Sequence, residues 1–258
     1  MLASIIITVK NEERTITQLL DRLLQQQKPY EIIIVDSQST DQTQKKIKKY
    51  QQKHPEIKLY TKKSTRGEGR NYGASKAQGE ILAFTDGGCK PNKKWLQSLK
   101  NKIQQGYDIA AGKTIDTGYF KNVKRVKIKI NKYDITYPSC NLAYKKQLFQ
   151  KINGFDTRFI TAEDIDLNLR TVQNGAKIGD TDQAIICRKS APNILKLIKQ
   201  AFWYGYGRKQ LTLKHGRLWK KYSPQQTFQT HLDLKGLIRL FFGLLGYLTC
   251  KTTGGKIR

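Results

Sequence analysis

Two aspartates stand at the ends of apolar, β-branched runs: Asp36 follows Ile33-Ile34-Val35, and Asp86 follows Ala83-Phe84-Thr85. A third acidic group, Glu163 and Asp164 with Asp166 two residues on, opens a helical pattern. Carboxylates accept hydrogen bonds from a ligand, hold cations or take a proton, depending on what surrounds them. Taken singly, each of these also reads as a turn or helix-capping residue. Asp41 reads as the N-cap of the helix that follows it, and Thr161 with Asp164 as a capping arrangement. Three carboxylates within four residues exceed what capping requires, so at least one is expected to face a cleft.

The elements that must position these groups follow from periodicity. Strands are predicted over 4–9, 31–35, 57–60, 81–85 and 108–111, with helices over 12–26, 41–52, 69–78 and 94–105 between them. Strands alternating with helices of this length predict an α/β fold, a mostly parallel central sheet with helices on both faces. Leu19, Leu20, Leu23 and Leu24 form one apolar stripe and belong to the core. Ligands of such sheets bind beyond the carboxyl ends of the strands, and both aspartates stand there. The pattern changes after Gly112. Residues 118–133 are strongly basic and read as an acceptor-facing or membrane-facing surface, or as a plain surface helix. A short polar segment over 137–142 and an Asn153-Gly154-Phe155-Asp156 loop precede the acidic helix.

Forty-eight Lys and Arg against twenty Asp and Glu leave a formal charge of +28 over 258 residues. Such an excess implies a polyanionic partner, whether nucleic acid, an anionic membrane or a phosphorylated substrate. A lysine-rich composition of the source organism is the bland alternative. The excess is concentrated late, because Asp233 is the only acidic residue after Asp182. Cys89, Cys140, Cys187 and Cys250 form no CxxC pair, which argues against a zinc site or a disulfide framework and fits a reducing compartment. Residues 2–9 are too short for a signal peptide, so the protein is expected to stay where it is made. Residues 193–210 are amphipathic. Residues 237–250 are the most apolar stretch, yet a helix of that length spans only about 21 Å, too short to cross a bilayer. It is expected to lie in the membrane interface, or to pack on the body as an ordinary helix.

The chain resembles family 2 glycosyltransferases. The resemblance rests on Ser4 to Glu13, on Asp36-Ser37-Gln38-Ser39-Thr40-Asp41-Gln42-Thr43, and on Arg70-Asn71-Tyr72-Gly73-Ala74. It continues through Phe84-Thr85-Asp86, Asn153-Gly154-Phe155-Asp156 and Glu163-Asp164-Ile165-Asp166-Leu167. It implies a GT-A fold, with residues 1–112 as the nucleotide-sugar-binding half and 113–190 as the acceptor-binding half. Residues 191–258 then form a basic, amphipathic, membrane-associated region. It implies an inverting transfer from a nucleotide-diphosphate sugar to a hydroxyl or phosphate acceptor; the basic, apolar tail adds the expectation that the acceptor is lipid-linked and met at the cytoplasmic membrane face. In this reading Asp36 accepts from the base, Asn11 and Glu13 wrap the nucleoside, and Arg70 approaches the nucleotide. Asp164 is the general base, with Glu163 as fallback, and Arg208 helps close the donor site. Asp86 matches the first aspartate of the D-x-D motif, which holds Mg²⁺ or Mn²⁺ on the diphosphate. Here the chain departs from the pattern, because Gly88 stands where the second aspartate is expected. A donor-binding relative with weakened catalysis is one alternative that this opens. The other is a polybasic nucleic-acid-binding protein, but the chain shows no helix-turn-helix, zinc-finger or RNP-type motif, so no nucleic acid is expected.

Overall fold

The computed structural model describes residues 1–118, 127–191, 193–216, 218 and 234–252. The strands are β1 (Ala3–Val9), β2 (Tyr30–Asp36), β3 (Ile57–Thr61), β4 (Ile81–Asp86), β5 (Cys89–Pro91), β6 (Ile109–Asp116), β7 (Lys129–Ile130), β8 (Tyr133–Asp134), β9 (Leu142–Lys145) and β10 (Ile178–Arg188). The helices are α1 (Ile16–Leu24), α2 (Thr43–Gln51), α3 (Arg66–Lys76), α4 (Trp95–Gln104), α5 (Lys146–Lys151), α6 (Glu163–Gln173), α7 (Ile194–His215) and α8 (Leu234–Thr252). Eight strands form one sheet in the order β3-β2-β1-β4-β9-β6-β10-β5. β1 pairs in parallel with β2 and β4, β2 with β3, and β6 with β10. β9 is inserted antiparallel between β4 and β6, and joins the two halves.

Alternation along the strands separates two cores. Ile5, Ile7, Ile32 and Ile34 point to one face, which α1, α2 and α4 cover through residues such as Leu19, Ile47 and Trp95. Ile6 and Ile33 point to the other, covered by α3, α5 and α6 through Ala74, Phe149 and Leu167. The sheet is thus buried on both faces, as the near-continuous apolar strands require.

The structure corrects several expectations drawn from periodicity. α3 begins at Arg66 rather than at residue 69, because Thr65 and Glu68 form a reciprocal capping box. The N-cap of α2 is Gln42, although the Asp41 carboxylate still accepts from the Thr43 amide at 3.0 Å. The Thr161 and Asp164 cap does not form. α6 starts from Ala162 in the left-handed region, φ 65°, and the Thr161 hydroxyl bonds instead to the Trp203 carbonyl at 2.7 Å. Of the basic stretch over 118–133, residues 119–126 lie outside the described residues. The remainder includes part of a two-stranded ribbon of β7 and β8 with Ile128 buried, not a helix.

Two close approaches fix the site's surroundings. Gly154 has φ +60°, and a Cβ there would come within 2.5 Å of Asn71 Oδ1. That crowding arises because Asn71 clasps the backbone of Phe155, donating to its carbonyl at 2.8 Å and accepting from its amide at 2.9 Å. The Arg70-Asn71 and Gly154-Phe155 motifs therefore dock on each other. Further on, α8 lies against α7 with almost no side chain between. A Cβ on Gly205 would stand 1.8 Å from the Gly243 carbonyl oxygen, and one on Gly246 would stand 1.9 Å from that of Phe202. The opposite face of α8 exposes Leu237, Leu240, Phe241, Leu244, Leu245 and Leu248. Among the described residues, no helix is long and apolar enough to cross a membrane.

Candidate active site

The carboxyl ends of β1, β2 and β4 form one edge, since Val9 is in register with Asp36 and Thr8 with Asp86. Asp36 is fully buried. Its Oδ1 accepts from the Ser39 amide and from Gln44 Nε2, both at 2.8 Å, while Oδ2 is buried without a protein partner. An unpaired buried carboxylate oxygen is costly, and this one has the capacity to accept a further hydrogen bond. Asn11 and Glu13 build the loop beside it. Asn11 Oδ1 accepts from the Thr40 amide at 2.9 Å, and Glu13 Oε2 accepts from the Gln42 amide at 3.1 Å. Both side chains tie the segment after β1 to the segment after β2.

Asp86 anchors the second group. Its Oδ1 accepts from Arg70 Nη2 at 2.7 Å, and Arg70 Nη1 donates to Glu163 Oε1 at 2.8 Å. Arg70 is only 1 % exposed, with its guanidinium 5.4 Å from the Phe155 ring centroid. Burial works against its charge, but Asp86 and Glu163 outweigh that and strengthen its hold on the proton. One fork thus welds α3 to the end of β4 and the start of α6. Burial raises the Asp86 carboxyl, yet Arg70, Arg66 and Arg188 together hold it below the usual aspartate range. Arg66 is exposed to solvent inside the cleft, where Asp86 foremost and then Glu163 raise its pKa. Arg66 and Arg70 are four residues apart and share one face of α3.

Asp164 lies at the rim of this group. Its Oδ2 accepts from the Ser139 amide at 3.1 Å and its Oδ1 from the Ile165 amide at 2.9 Å. Burial and the neighbouring Glu163 push its carboxyl up to about 6, against the lowering effect of these amides and Arg70. Asp166 faces away. It pairs with Arg170 at 2.8 Å, Lys214 at 2.6 Å and His215 at 2.7 Å, so it fastens the end of α7 onto α6. Of the three acids that open α6, Glu163 and Asp164 join the cleft and Asp166 is structural.

The cleft also holds residues that periodicity alone does not single out. Glu12 crosses the turn after β4, its carboxyl raised by burial and by Asp86 and Asp41, despite a 2.5 Å hydrogen bond from the Thr15 hydroxyl. From α7, Tyr204 reaches the group while staying 38 % exposed; desolvation by its surroundings raises its hydroxyl, which is in electrostatic contact with Arg188, Arg66 and Asp164. Arg208 lies one turn further along α7 and is exposed. Behind Asp86, Cys89 and Cys140 are buried neighbours, and Arg188 Nη1 is 3.5 Å from Cys140 Sγ. The spacing of the cysteines in the chain hides this, because residues 51 positions apart meet where β5 passes the 3₁₀ turn Ser139–Asn141.

Asp86, Cys89 and Cys140 place their ligand atoms within 4.8 Å of one another. Thiols suit a thiophilic ion, whereas Mg²⁺ and Mn²⁺ take oxygen ligands. For those ions the donors at hand are the Asp86 oxygen not bonded to Arg70 and the carboxylate of Glu12 beside it. Mg²⁺ commonly uses one or two carboxylates together with substrate phosphates and water, so these residues fit such an ion.

A sequence profile described as glycosyl transferase family 2 matches residues 4–162. Glycosyltransferase AglE of Haloferax volcanii is 26 % identical over 226 residues, covering 81 % of this chain and 73 % of that protein. A Methanococcus voltae enzyme named dolichyl N-acetyl-alpha-D-glucosaminyl phosphate 3-beta-D-2,3-diacetamido-2,3-dideoxy-beta-D-glucuronosyltransferase is 27 % identical, covering 78 % of this chain and 71 % of its own. Among solved structures, the mannosyltransferase PcManGT of Pyrobaculum calidifontis, in complex with GDP-Man and Mn²⁺, superposes with a TM-score of 0.68 at 18 % identity over 99 % of this chain and 76 % of that one. Staphylococcus aureus TarS 1-349 with UDP gives 0.66 at 20 % identity, over 99 % and 82 %. The fold is that of the GT-A glycosyltransferases, and the chain is a glycosyltransferase. It belongs to glycosyl transferase family 2.

Proposed function

We propose that the chain transfers a sugar, with inversion, from a nucleotide-diphosphate sugar to a hydroxyl of a lipid-linked acceptor at the cytoplasmic face of a membrane. The observation that carries this reading is the single carboxylate Asp86 set among Arg66, Arg70 and Arg188, with Asp164 across the same fork. Arg66, Arg70 and Arg188 bring three guanidinium groups to the end of β4, among the acids Asp86 and Glu163, where their N–H groups are of the kind that binds phosphate oxygens. Asp36 keeps one buried oxygen for a ring N–H of the base, a charge-assisted bond of about 1.5–3 kcal/mol. In the transfer, the acceptor oxygen bonds to the anomeric carbon as the bond from that carbon to the diphosphate breaks. Asp164 takes the hydroxyl proton, and its raised carboxyl makes it a stronger base than an ordinary aspartate. Glu163, already paired with Arg70, positions that arginine rather than receiving a proton. A bound Mg²⁺ or Mn²⁺ at Asp86 supplies charge neutralisation for the departing diphosphate. Relatives of this fold have been captured with UDP-GlcNAc and with GDP-Man and Mn²⁺, which supports the donor class.

Titration with UDP- and GDP-linked sugars, read by melting temperature, tests the donor. A sugar nucleotide at 100 times its Kd is expected to add about 2.7 kcal/mol of stability. Stabilisation by oligonucleotides but by none of the sugar nucleotides would sink the reading.

The lipid part rests on α8. Its exposed apolar face lies in the last quarter of the chain, where basic residues dominate, and each cation near an anionic leaflet adds about 1 kcal/mol. L237E/F241E/L244E alters only exposed positions and leaves the glycine contacts with α7 in place. Co-sedimentation with phosphatidylserine-containing vesicles is expected to fall at least about tenfold for this variant, and to weaken with salt for the wild type. Equal sedimentation of the two proteins would end the membrane assignment.

A further inference from the structure

The loss of the second D-x-D carboxylate leaves a gap that the structure fills from elsewhere in the chain. Residues 87 and 88 are both glycine, and the side chain lying across them is Glu12, from the loop after β1. A Cβ on Gly87 would come within 2.7 Å of Glu12 Cγ and 3.2 Å of its Cδ. A Cβ on Gly88 would have Glu12 Oε2 as its nearest neighbour, at 4.0 Å. An aspartate at 88 would therefore project its oxygens into the space that the Glu12 carboxylate already borders.

Glu12 is held there from two sides. Its amide donates to Thr43 Oγ1 at 2.8 Å, which fixes the backbone, and the Thr15 hydroxyl donates to its Oε2 at 2.5 Å, which aims the carboxylate. No Lys or Arg among the described residues forms an ion pair with it, whereas Asp86 has Arg70. Glu12 is thus a carboxylate in electrostatic contact with Asp86 that has no ion pair of its own, although Lys196 also acts on it.

We propose that Glu12 supplies the carboxylate that Gly88 lacks, so that Glu12 and Asp86 together hold the divalent cation. This rests on the reading of the cleft as a nucleotide-diphosphate-sugar site. The gap at Gly88 then becomes an exchange of one ligand for another, and catalysis need not be weakened by it.

The experiment measures Mn²⁺ affinity from the loss of the free-ion electron paramagnetic resonance signal, with and without UDP or GDP, in the full chain. Glu12→Gln keeps the length and the acceptor for Thr15 and is expected to weaken Mn²⁺ binding by about 10–100-fold. Gly88→Asp is sterically open, since nothing lies closer than 4.0 Å to its Cβ. In the E12Q background it is expected to restore affinity to within about threefold of wild type, a rescue that a merely structural role for Glu12 would not give. Asp86→Asn serves as the reference for loss of the site. If Glu12→Gln binds Mn²⁺ like wild type while D86N does not, the Glu12 assignment is overturned and the site reading stands. If wild type binds neither UDP, GDP nor Mn²⁺, the site reading itself fails and takes this inference with it.

Discussion

Replacing Asp164 by Asn is expected to lower turnover by about 10²–10⁴-fold while leaving the KM for the sugar nucleotide within a few-fold of wild type. The asparagine keeps an oxygen for the Ser139 amide but loses the acceptor for the Ile165 amide, and it has no lone pair basic enough to take a proton. Wild-type turnover should rise with pH through about 6, where Asp164 becomes the carboxylate, and this limb should vanish in the variant. Stability should move the other way. A carboxyl raised in the folded state binds its proton more tightly folded than unfolded, so its ionised form at neutral pH weakens the fold. Relative to wild type, Asp164→Asn is therefore expected to gain in melting temperature as pH rises through about 6, offset at every pH by the lost Ile165 hydrogen bond. Steady-state kinetics from pH 5 to 8, paired with melting curves, check both halves. A variant that transfers at the wild-type rate removes Asp164 from the reaction, and one that is inactive only because it melts lower makes the residue structural.

The first half of the chain is legible because each strand there is a continuous apolar run and each helix an interrupted one. Asp36 and Asp86 stood out as carboxylates placed where a parallel sheet offers its binding edge. The later strands were harder to see. β9 has four residues, and β10 carries Gly179, Asp180, Thr181, Asp182 and Gln183 around a register shift, so neither shows a clean period. Periodicity places the start of this helix at residue 69 and so passes over Arg66. The Thr65 and Glu68 capping box was the available signal, and it puts Arg66 one turn ahead of Arg70 on the same face. Contacts between distant segments leave no trace in local spacing. The Arg70 to Glu163 bond joins residues 93 apart, Glu12 reaches the turn after β4 over more than 70 residues, and Tyr204 arrives on a returning helix. The GT-A resemblance supplied what periodicity did not, yet its motifs named Glu163 as a spare base. The fork of Arg70 shows why that residue is occupied otherwise.

That fork is where the fold and the site depend on the same atoms, and Arg70→Met is expected to cost about 3–5 kcal/mol of stability at pH 7. Methionine fills much of the volume but leaves Asp86 and Glu163 facing the space that one guanidinium satisfied. Glu163 is the more exposed to this loss in energetic terms, because it is 4 % exposed, whereas Asp86 keeps Arg66 and Arg188 nearby. Lysine should not rescue fully, since one ammonium cannot reproduce two parallel bonds to carboxylates on different elements. The pH dependence follows from the direction of the Asp86 shift. Its carboxyl is lowered in the fold, so wild type gains stability from it above the unfolded aspartate range, near pH 4, and loses that gain as pH falls through the folded value. Without Arg70 the largest part of that gain is gone, and protonation of Asp86 relieves the variant, so the gap between the proteins should narrow as pH falls from 7 towards 4. Adding Glu163→Gln to the variant should recover part of the loss, because it removes the charge left without a partner. Urea denaturation of wild type, R70M and R70M/E163Q at pH 7 and at pH 5 measures each of these differences. A single variant within about 0.5 kcal/mol of wild type at pH 7 would mean that the three elements are held together by their packing, with the arginine serving the ligand alone.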